Sequence, residues 1–110
     1  MATRYKVLGQ VATGATTDTT LYTVPSLTEA VISTLVVANR STTAATYRIA
    51  IRPNGATLAN EHYIAFDVSV GANDSTTLTL GLTLDAADVI TVRASNANLT
   101  FSVFGSEIDL

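Results

Sequence analysis

The chain of 110 residues contains no cysteine and no tryptophan, and it has one histidine and two prolines. Without cysteine there is no disulfide framework, no thiolate nucleophile and no cysteine-based zinc site. Charged residues make up 14% of the chain, against about 25% in typical soluble domains. Nine acidic residues outnumber six basic ones, and the net charge of -3 disfavours nucleic acid as a partner.

Long hydrophobic runs are also missing. No run approaches the roughly 20 residues that span a bilayer, and residues 1–6 are not followed by the apolar stretch of a signal peptide. We therefore expect a protein that is made in the cytoplasm and has no membrane partner. The length and the 47% hydrophobic content predict a single domain over residues 1–110, with enough apolar material for a core.

Threonine is the commonest residue, with 19 copies, followed by 16 alanines and 11 valines, and β-branched residues favour strands. Alternation of apolar and polar residues is clearest at Ala45–Arg52, where Tyr47 and Ile49 share one face. Similar patterns, separated by turn residues, predict strands at residues 4–11, 19–24, 29–39, 45–52, 61–68, 76–84, 90–94 and 97–104. About eight short strands and no long helical pattern predict an all-β fold, an antiparallel β-sandwich that is jelly-roll-like.

Alternation also predicts which side chains face inward. The nearly continuous apolar run at residues 29–39 is expected to form the most central strand, with Ile32 and Val36 on one face and Leu35 on the other. The strand at residues 61–68 is expected to place His62, Ile64, Phe66 and Val68 on its inward side. The longest connections, residues 12–18 and 53–60, are expected to cross between the sheets, and the second has room for a short helical turn.

Motifs for catalysis and for metal binding are weak. A Ser-His-Asp arrangement would need His62 as its base, and that residue is in register with the predicted inward side chains Ile64 and Phe66. Asp74, Asp85 and Asp88 lie in turns and lack the alternate spacing of calcium ligands. We therefore predict no enzyme activity, no catalytic residue, no metal site, no cofactor and no small-molecule substrate.

The predicted outward faces carry threonine, serine and alanine where isolated sheets carry lysine and glutamate. Residues 76–84 have no charge at all, and such a window is prone to aggregation unless it is interior or paired with another chain. This composition favours a subunit of an assembly. The alternative is an ordinary β domain with a threonine-rich exposed sheet.

Four residues on the predicted outward faces are candidates for contact with partners: Arg48, Arg52, Tyr63 and Arg93. Arginine and tyrosine are enriched in interfaces. The alternative for each is an ordinary solvated side chain, with the arginines forming salt bridges to Glu61 or Asp67. The chain ends, residues 1–4 and 106–110, are candidate arms.

Seven segments then carry a resemblance to a known group. They are residues 21–25 (LYTVP), 31–40 (VISTLVVANR), 45–53 (ATYRIAIRP), 58–63 (LANEHY), 73–74 (ND), 78–84 (LTLGLTL) and 104–108 (FGSEI). In this order, over nearly the whole chain, they resemble a group of small bacteriophage virion proteins. The resemblance contains no catalytic motif.

The resemblance implies a β-sandwich structural protein of a tailed phage. It does not identify the site on the virion, and the compact length of the chain favours a decoration or cement protein on the capsid surface. Its partners would be further copies of itself and the major capsid protein. A protein that binds only the assembled shell stabilises it by mass action. The alternative is a tail- or fibre-associated module that binds a host surface glycan, although the 6% aromatic content and the lack of tryptophan argue against such a site.

Overall fold

A computed structural model of the chain describes residues 2–110. Its regular structure consists of eight β-strands and two 3₁₀ turns. The strands are β1 (Thr3–Ala12), β2 (Thr19–Thr23), β3 (Thr28–Asn39), β4 (Ala45–Arg52), β5 (Tyr63–Val70), β6 (Ser75–Leu84), β7 (Val89–Ala94) and β8 (Leu99–Asp109). The two turns, Pro53–Gly55 and Asn60–His62, lie between β4 and β5. The eight predicted strands are confirmed, with ends that differ by a few residues.

The strands form two four-stranded antiparallel sheets. The first sheet has the order β1-β8-β3-β6, and the second sheet has the order β2-β7-β4-β5. The all-β, sandwich-like prediction is confirmed, whereas the jelly-roll topology stays a prediction. Each sheet has two inner strands and two edge strands.

The core lies between the two sheets. Tyr47 on β4 and Phe101 on β8 meet edge to face, with ring centroids 6.4 Å apart, and both side chains are buried. Because these strands belong to different sheets, the contact joins the two apolar faces. Aromatic pairs of this geometry contribute about 1 kcal/mol beyond the area that they bury.

The central position of β3 is confirmed, because this strand pairs with both β6 and β8. The predicted faces of β3 are wrong. Ile32 and Leu35 are both buried, and Val36 is not, because the register with β8 shifts at Ser33. After a bulge of this kind, the positions that would have faced inward face outward, and the reverse. A prediction from the alternation of apolar and polar residues does not detect such a change.

Two glycines allow the backbone to approach closely at such irregular positions. A Cβ atom on Gly105 would collide with the backbone carbonyl of Val31, and a Cβ atom on Gly9 would collide with that of Leu21. Gly105 adjoins the bulge in β3, and Gly9 adjoins a register shift in β1. Close packing of backbone on backbone therefore requires glycine at both positions.

The predicted inward side of the fifth strand is wrong. His62 lies in a 3₁₀ turn, where its Nδ1 accepts a hydrogen bond from the backbone N–H of Ala59 at 3.0 Å. Ile64 and Phe66 are 46% and 53% exposed, and Val68 is also exposed. The histidine lies outside the core and braces the connection that precedes β5.

Two register shifts between β4 and β5 explain this outcome. Ala65 lies opposite Ile49 and packs against the core, so Phe66 points outward. Asp67 then has a positive φ of 53°, and two residues of β5 stand opposite Arg48. These bulges turn the larger apolar side chains of β5 towards solvent.

The predictions for connections and ends were partly right. Residues 13–18 join β1 of the first sheet to β2 of the second, as expected. Residues 53–62 contain helical turns as predicted, but they join neighbouring strands of one sheet and do not cross.

The prediction of terminal arms is wrong for residues 2–4 and 106–110. Thr3 pairs with Ile108, the backbone N–H of Asp109 donates to the carbonyl of Ala2, and that of Leu110 donates to Leu27. Met1 lies outside the described residues.

Candidate interaction surfaces

The outward face of the second sheet brings two of the four predicted contact residues together. Arg48 on β4 and Arg93 on β7 lie directly opposite each other. The residues before and after each arginine along its strand belong to the core, so both arginines face outward. Like charges in this position repel, but each guanidinium has an acidic partner on its far side. Arg48 Nε lies 2.7 Å from Asp67 Oδ1, and Arg93 Nη1 lies 3.6 Å from Asp18 Oδ1. The four charges form a balanced row across the sheet.

Arg48 is the centre of a larger group. Its Nη2 donates a second hydrogen bond to Asp67, and its guanidinium lies over the ring of Phe66, 4.0 Å from the centroid. Tyr63 meets Phe66 edge to face at 4.9 Å. The hydrogen bonds from Arg48 hold the pKa of Asp67 below its ordinary value and raise the pKa of Arg48. The salt bridge from Arg48 to Asp67 confirms one of the predicted pairings.

Arg52 has a different environment. Its Nε donates to Thr91 Oγ1 at 3.0 Å, and its Nη1 donates to the carbonyl of Ala56 at 3.1 Å. These bonds fasten the first 3₁₀ turn to the end of the second sheet. The structure thus places Arg48 and Arg93 side by side, with Tyr63 packed against Phe66 next to Arg48, whereas Arg52 lies four residues further along β4. The role of all four as contacts stays a prediction.

A shallow depression of ≈230 Å³ lies in this row, between Arg48, Asp67, Arg93 and Ser95. Its ionic groups are already paired within the chain. Paired, half-exposed charges of this kind suit recognition of a polar surface.

The outward face of the first sheet carries an apolar groove that sequence analysis missed. Tyr5 is 86% exposed and Val7 is 48% exposed, and both line the groove with Val31 and Phe104. The groove has a volume of ≈580 Å³, and Lys6 is the charged residue in its lining. The sequence could have predicted that Tyr5 and Val7 lie on the same face of their strand, since residues two apart share a strand face. It could not have predicted that they lie near Phe104, because that contact depends on the pairing of β1 with β8.

A buried carboxylate was also missed. The side chain of Glu107 is 3% exposed and accepts hydrogen bonds from Tyr22 Oη at 2.6 Å, Arg4 Nη2 at 3.0 Å and Lys6 Nζ at 3.3 Å. The bond from Tyr22 is the largest cause that lowers the pKa of Glu107, followed by the bonds from Arg4 and Lys6, although burial opposes them. Burial and the bond to Glu107 raise the pKa of Tyr22. Chemically, this is a fully bonded anion that holds strands together.

The aspartates that were weighed as calcium ligands brace turns through hydrogen bonds to backbone N–H groups. Asp88 accepts hydrogen bonds from the backbone N–H groups of Asp85 and Asn54, both at 2.8 Å. Asp74 accepts from the N–H of Ser75. Within residues 2–110, no three histidine, aspartate or glutamate side chains are grouped so that they could hold a metal ion.

Neither 3₁₀ turn, nor any other helical segment of residues 2–110, has the length and hydrophobicity needed to cross a membrane. Comparison of the chain with models of protein families and with curated proteins found no match.

Proposed function

We propose that the chain is a non-enzymatic structural protein of a tailed-phage virion, a capsid decoration protein that binds further copies of itself and the outer surface of the shell. The observation that supports this proposal most strongly is the apolar groove on the first sheet. Exposed, contiguous apolar surface on a folded domain marks sites where another protein binds.

The side chains in the groove suit a protein partner. Tyr5 offers a large apolar ring with a polar tip, and such residues are enriched in protein interfaces. Val7, Val31 and Phe104 add further apolar surface to the groove. The sequence resemblance to small phage virion proteins supports a partner within the virion, for which we propose the major capsid protein.

The mechanism is mass action. A protein that binds the assembled shell and not its separated subunits stabilises the shell by an amount that depends on its concentration relative to Kd. At a free concentration 100 times Kd, the contribution is about 2.7 kcal/mol for each occupied site. Many sites on one shell would together oppose its rupture.

The proposal predicts that Tyr5→Asp weakens binding to undecorated shells of the phage that encodes the chain by at least about tenfold, since an interface anchor is worth about 1.4 kcal/mol or more. Binding is measured by cosedimentation of purified protein with shells. Leu27→Asp is the matched control, because Leu27 is exposed and apolar but lies outside the groove. If both variants bind shells as tightly as the parent protein does, the groove is not the contact surface. If the parent protein does not bind shells, the proposed function is refuted.

A specific feature of the second sheet favours the alternative, a tail-associated module that binds host glycan. Phe66 is 53% exposed beside the carboxylate of Asp67 and the guanidinium of Arg48. However, Arg48 covers one face of the ring, and a sugar stacking on that face would have to displace it. Strong and selective hits on a glycan array that disappear in Phe66→Ala would reverse the ranking of the two functions.

A further inference from the structure

The four edge strands of the sandwich differ in how their free backbone groups are protected. β1 carries Arg4 and Lys6 and has a register shift next to Gly9. β2 is five residues long, contains a register shift and is soon followed by Pro25. β5 has two register shifts and an aspartate with positive φ. Charges, short length and bulges are the devices by which edge strands avoid pairing with other chains.

The remaining edge, β6, lacks charge and proline over Ser75–Leu84. Its first half pairs regularly with β3, from Ser75 opposite Ala38 to Thr79 opposite Thr34, and the register shifts only beyond this segment. Leu78 packs against the core, whereas Ser75, Thr77 and Thr79 are exposed. The uncharged window is therefore not interior, and pairing with another chain is the other way in which such a segment is protected.

The backbone groups that face the free edge can be identified. The N–H of Asn39 donates to the carbonyl of Asp74 at 2.8 Å. Since antiparallel pairs alternate between bonded and non-bonded residues, Ser75, Thr77 and Thr79 direct their N–H and C=O groups away from β3. The N–H of Ser75 is bonded to its neighbour Asp74 Oδ1 at 2.8 Å. Thr77 and Thr79 therefore present the donors that an added strand would use.

We infer that two copies of the chain pair through β6, antiparallel, about a twofold axis at Thr77, so that the two first sheets form one continuous eight-stranded sheet. On this axis Thr77 lies opposite the same residue of the second copy, and Ser75 lies opposite Thr79. Facing threonine and serine side chains form favourable cross-strand pairs, whereas like charges would repel. The nearest charge, Asp74, falls opposite Leu80 and not opposite itself.

The pairing is also self-limiting. A twofold contact uses the same strand of both copies, so no second β6 remains free. The outer edges of the joined sheet are the two β1 strands, which carry Arg4 and Lys6. The product is a closed dimer and not a growing fibre. This inference deepens the self-association in the proposed function and rests on that part of it alone.

Thr77→Pro tests the inference because it removes an N–H that points away from β3 and leaves the bonds between β3 and β6 in place. We expect the parent protein to sediment at twice the 11.5-kDa chain mass, and Thr77→Pro to sediment as a monomer with the circular dichroism of the parent. Thr77→Ser keeps the N–H and should remain a dimer.

A second variant covers the case in which proline at position 77 prevents folding. Thr77→Lys alters only an exposed side chain but places two ammonium groups opposite each other, so it should also be monomeric. Thr20→Lys, on the exposed edge of β2, is the matched control and should remain a dimer. In hydrogen exchange, the amides of Thr77 and Thr79 should exchange slowly in the parent and faster in Thr77→Lys.

The outcomes separate this inference from the proposed function. A monomeric parent at millimolar concentration, or a Thr77→Lys variant as dimeric as the parent, would overturn the β6 dimer whether or not shells are bound. A β6 dimer that does not cosediment with shells would support the inference and refute capsid decoration.

Discussion

At the scale of single residues, Glu107 connects both ends of the chain to the second sheet. It lies on β8, its cationic partners Arg4 and Lys6 lie on β1, and Tyr22 lies on β2. A buried carboxylate is tolerated when its oxygens are fully hydrogen-bonded, and loss of one partner is then costly. The group therefore holds the termini in the sandwich and prevents them from acting as free arms.

Glu107→Gln should destabilise the protein by about 2 kcal/mol, because the amide keeps the shape but cannot accept all the bonds from Tyr22, Arg4 and Lys6. The measurement is the free energy of unfolding in urea at neutral pH. Glu29→Gln is the control, since Glu29 is exposed on the neighbouring strand β3, and its effect should be within about 0.5 kcal/mol. Equal stability of the two variants would show that the buried network contributes nothing.

Protonation of the carboxyl group of Glu107 should make the free energy of unfolding depend on pH. Its pKa in the folded protein is lowered from an ordinary value of 4.5. The unfolded chain therefore binds a proton at a higher pH than the folded chain does, and stability is lost as the pH falls below about 4.5 towards the folded pKa. Asp67 contributes in the same direction.

Urea unfolding of the parent and of Glu107→Gln between pH 7 and pH 3 measures this contribution. The parent should lose more stability than the variant over the acidic part of the range, so that the two curves converge. Parallel curves would mean that the pKa of Glu107 is the same in both states.

At the scale of strands, bulges decide which side chains are buried. The bulge at Ser33 moves Leu35 into the core, and those in β5 turn Ile64 and Phe66 outward. Each bulge also bends its strand and increases the local twist, which helps two sheets to close over one core. The surface chemistry of the protein thus follows from a few irregular positions.

Gly105→Ala should destabilise the protein by at least about 2 kcal/mol, because the new methyl group would collide with the backbone carbonyl of Val31, which cannot move without breaking the sheet. Gly14→Ala is the control, since its Cβ would meet only Thr17 Oγ1, at 3.7 Å. Thermal unfolding of both variants checks the difference. A Gly105→Ala variant as stable as Gly14→Ala would contradict the close approach of β8 to β3.

The elements were predictable from sequence to different degrees. Ala45–Arg52 was predicted with its observed ends, because its alternation is regular and its inner residues, Tyr47 and Ile49, are large. The inward-facing and outward-facing positions of β3 and β5 could not be predicted. A bulge depends on the partner strand and has no signature in the alternation of apolar and polar residues. The face that carries Arg48 and Arg93 was predicted, but their pairing depends on strand order.

The buried state of Glu107 could not be foreseen for a related reason. In sequence, Glu107 is one of two acidic residues, with Asp109, in a segment where apolar and polar residues alternate. Its partners lie 85 to 103 residues away along the chain. The pairing of β1 with β8 brings Arg4 and Lys6 to Glu107, and the packing of β2 from the second sheet brings Tyr22. Long-range contacts dominate antiparallel sandwiches, and side-chain patterns within one strand carry little information about them.

At the scale of the whole molecule, the two outward faces differ in chemistry. The second sheet presents a row of paired charges around Arg48, and the first sheet presents the apolar groove around Tyr5. The free edge of β6 belongs to the first sheet. A dimer joined at β6 would therefore place two apolar grooves on one continuous surface, and two linked sites bind a repetitive shell more tightly than one.

A cryo-electron microscopy map of the virion would show directly whether the outward face of the first sheet lies against other protein in a phage particle. We expect density for the sandwich on the capsid surface, with Tyr5 and Phe104 in contact with the shell and β6 paired with a second copy. A particle without this chain, or one in which the groove and the β6 edge both face solvent, would refute capsid decoration through this surface.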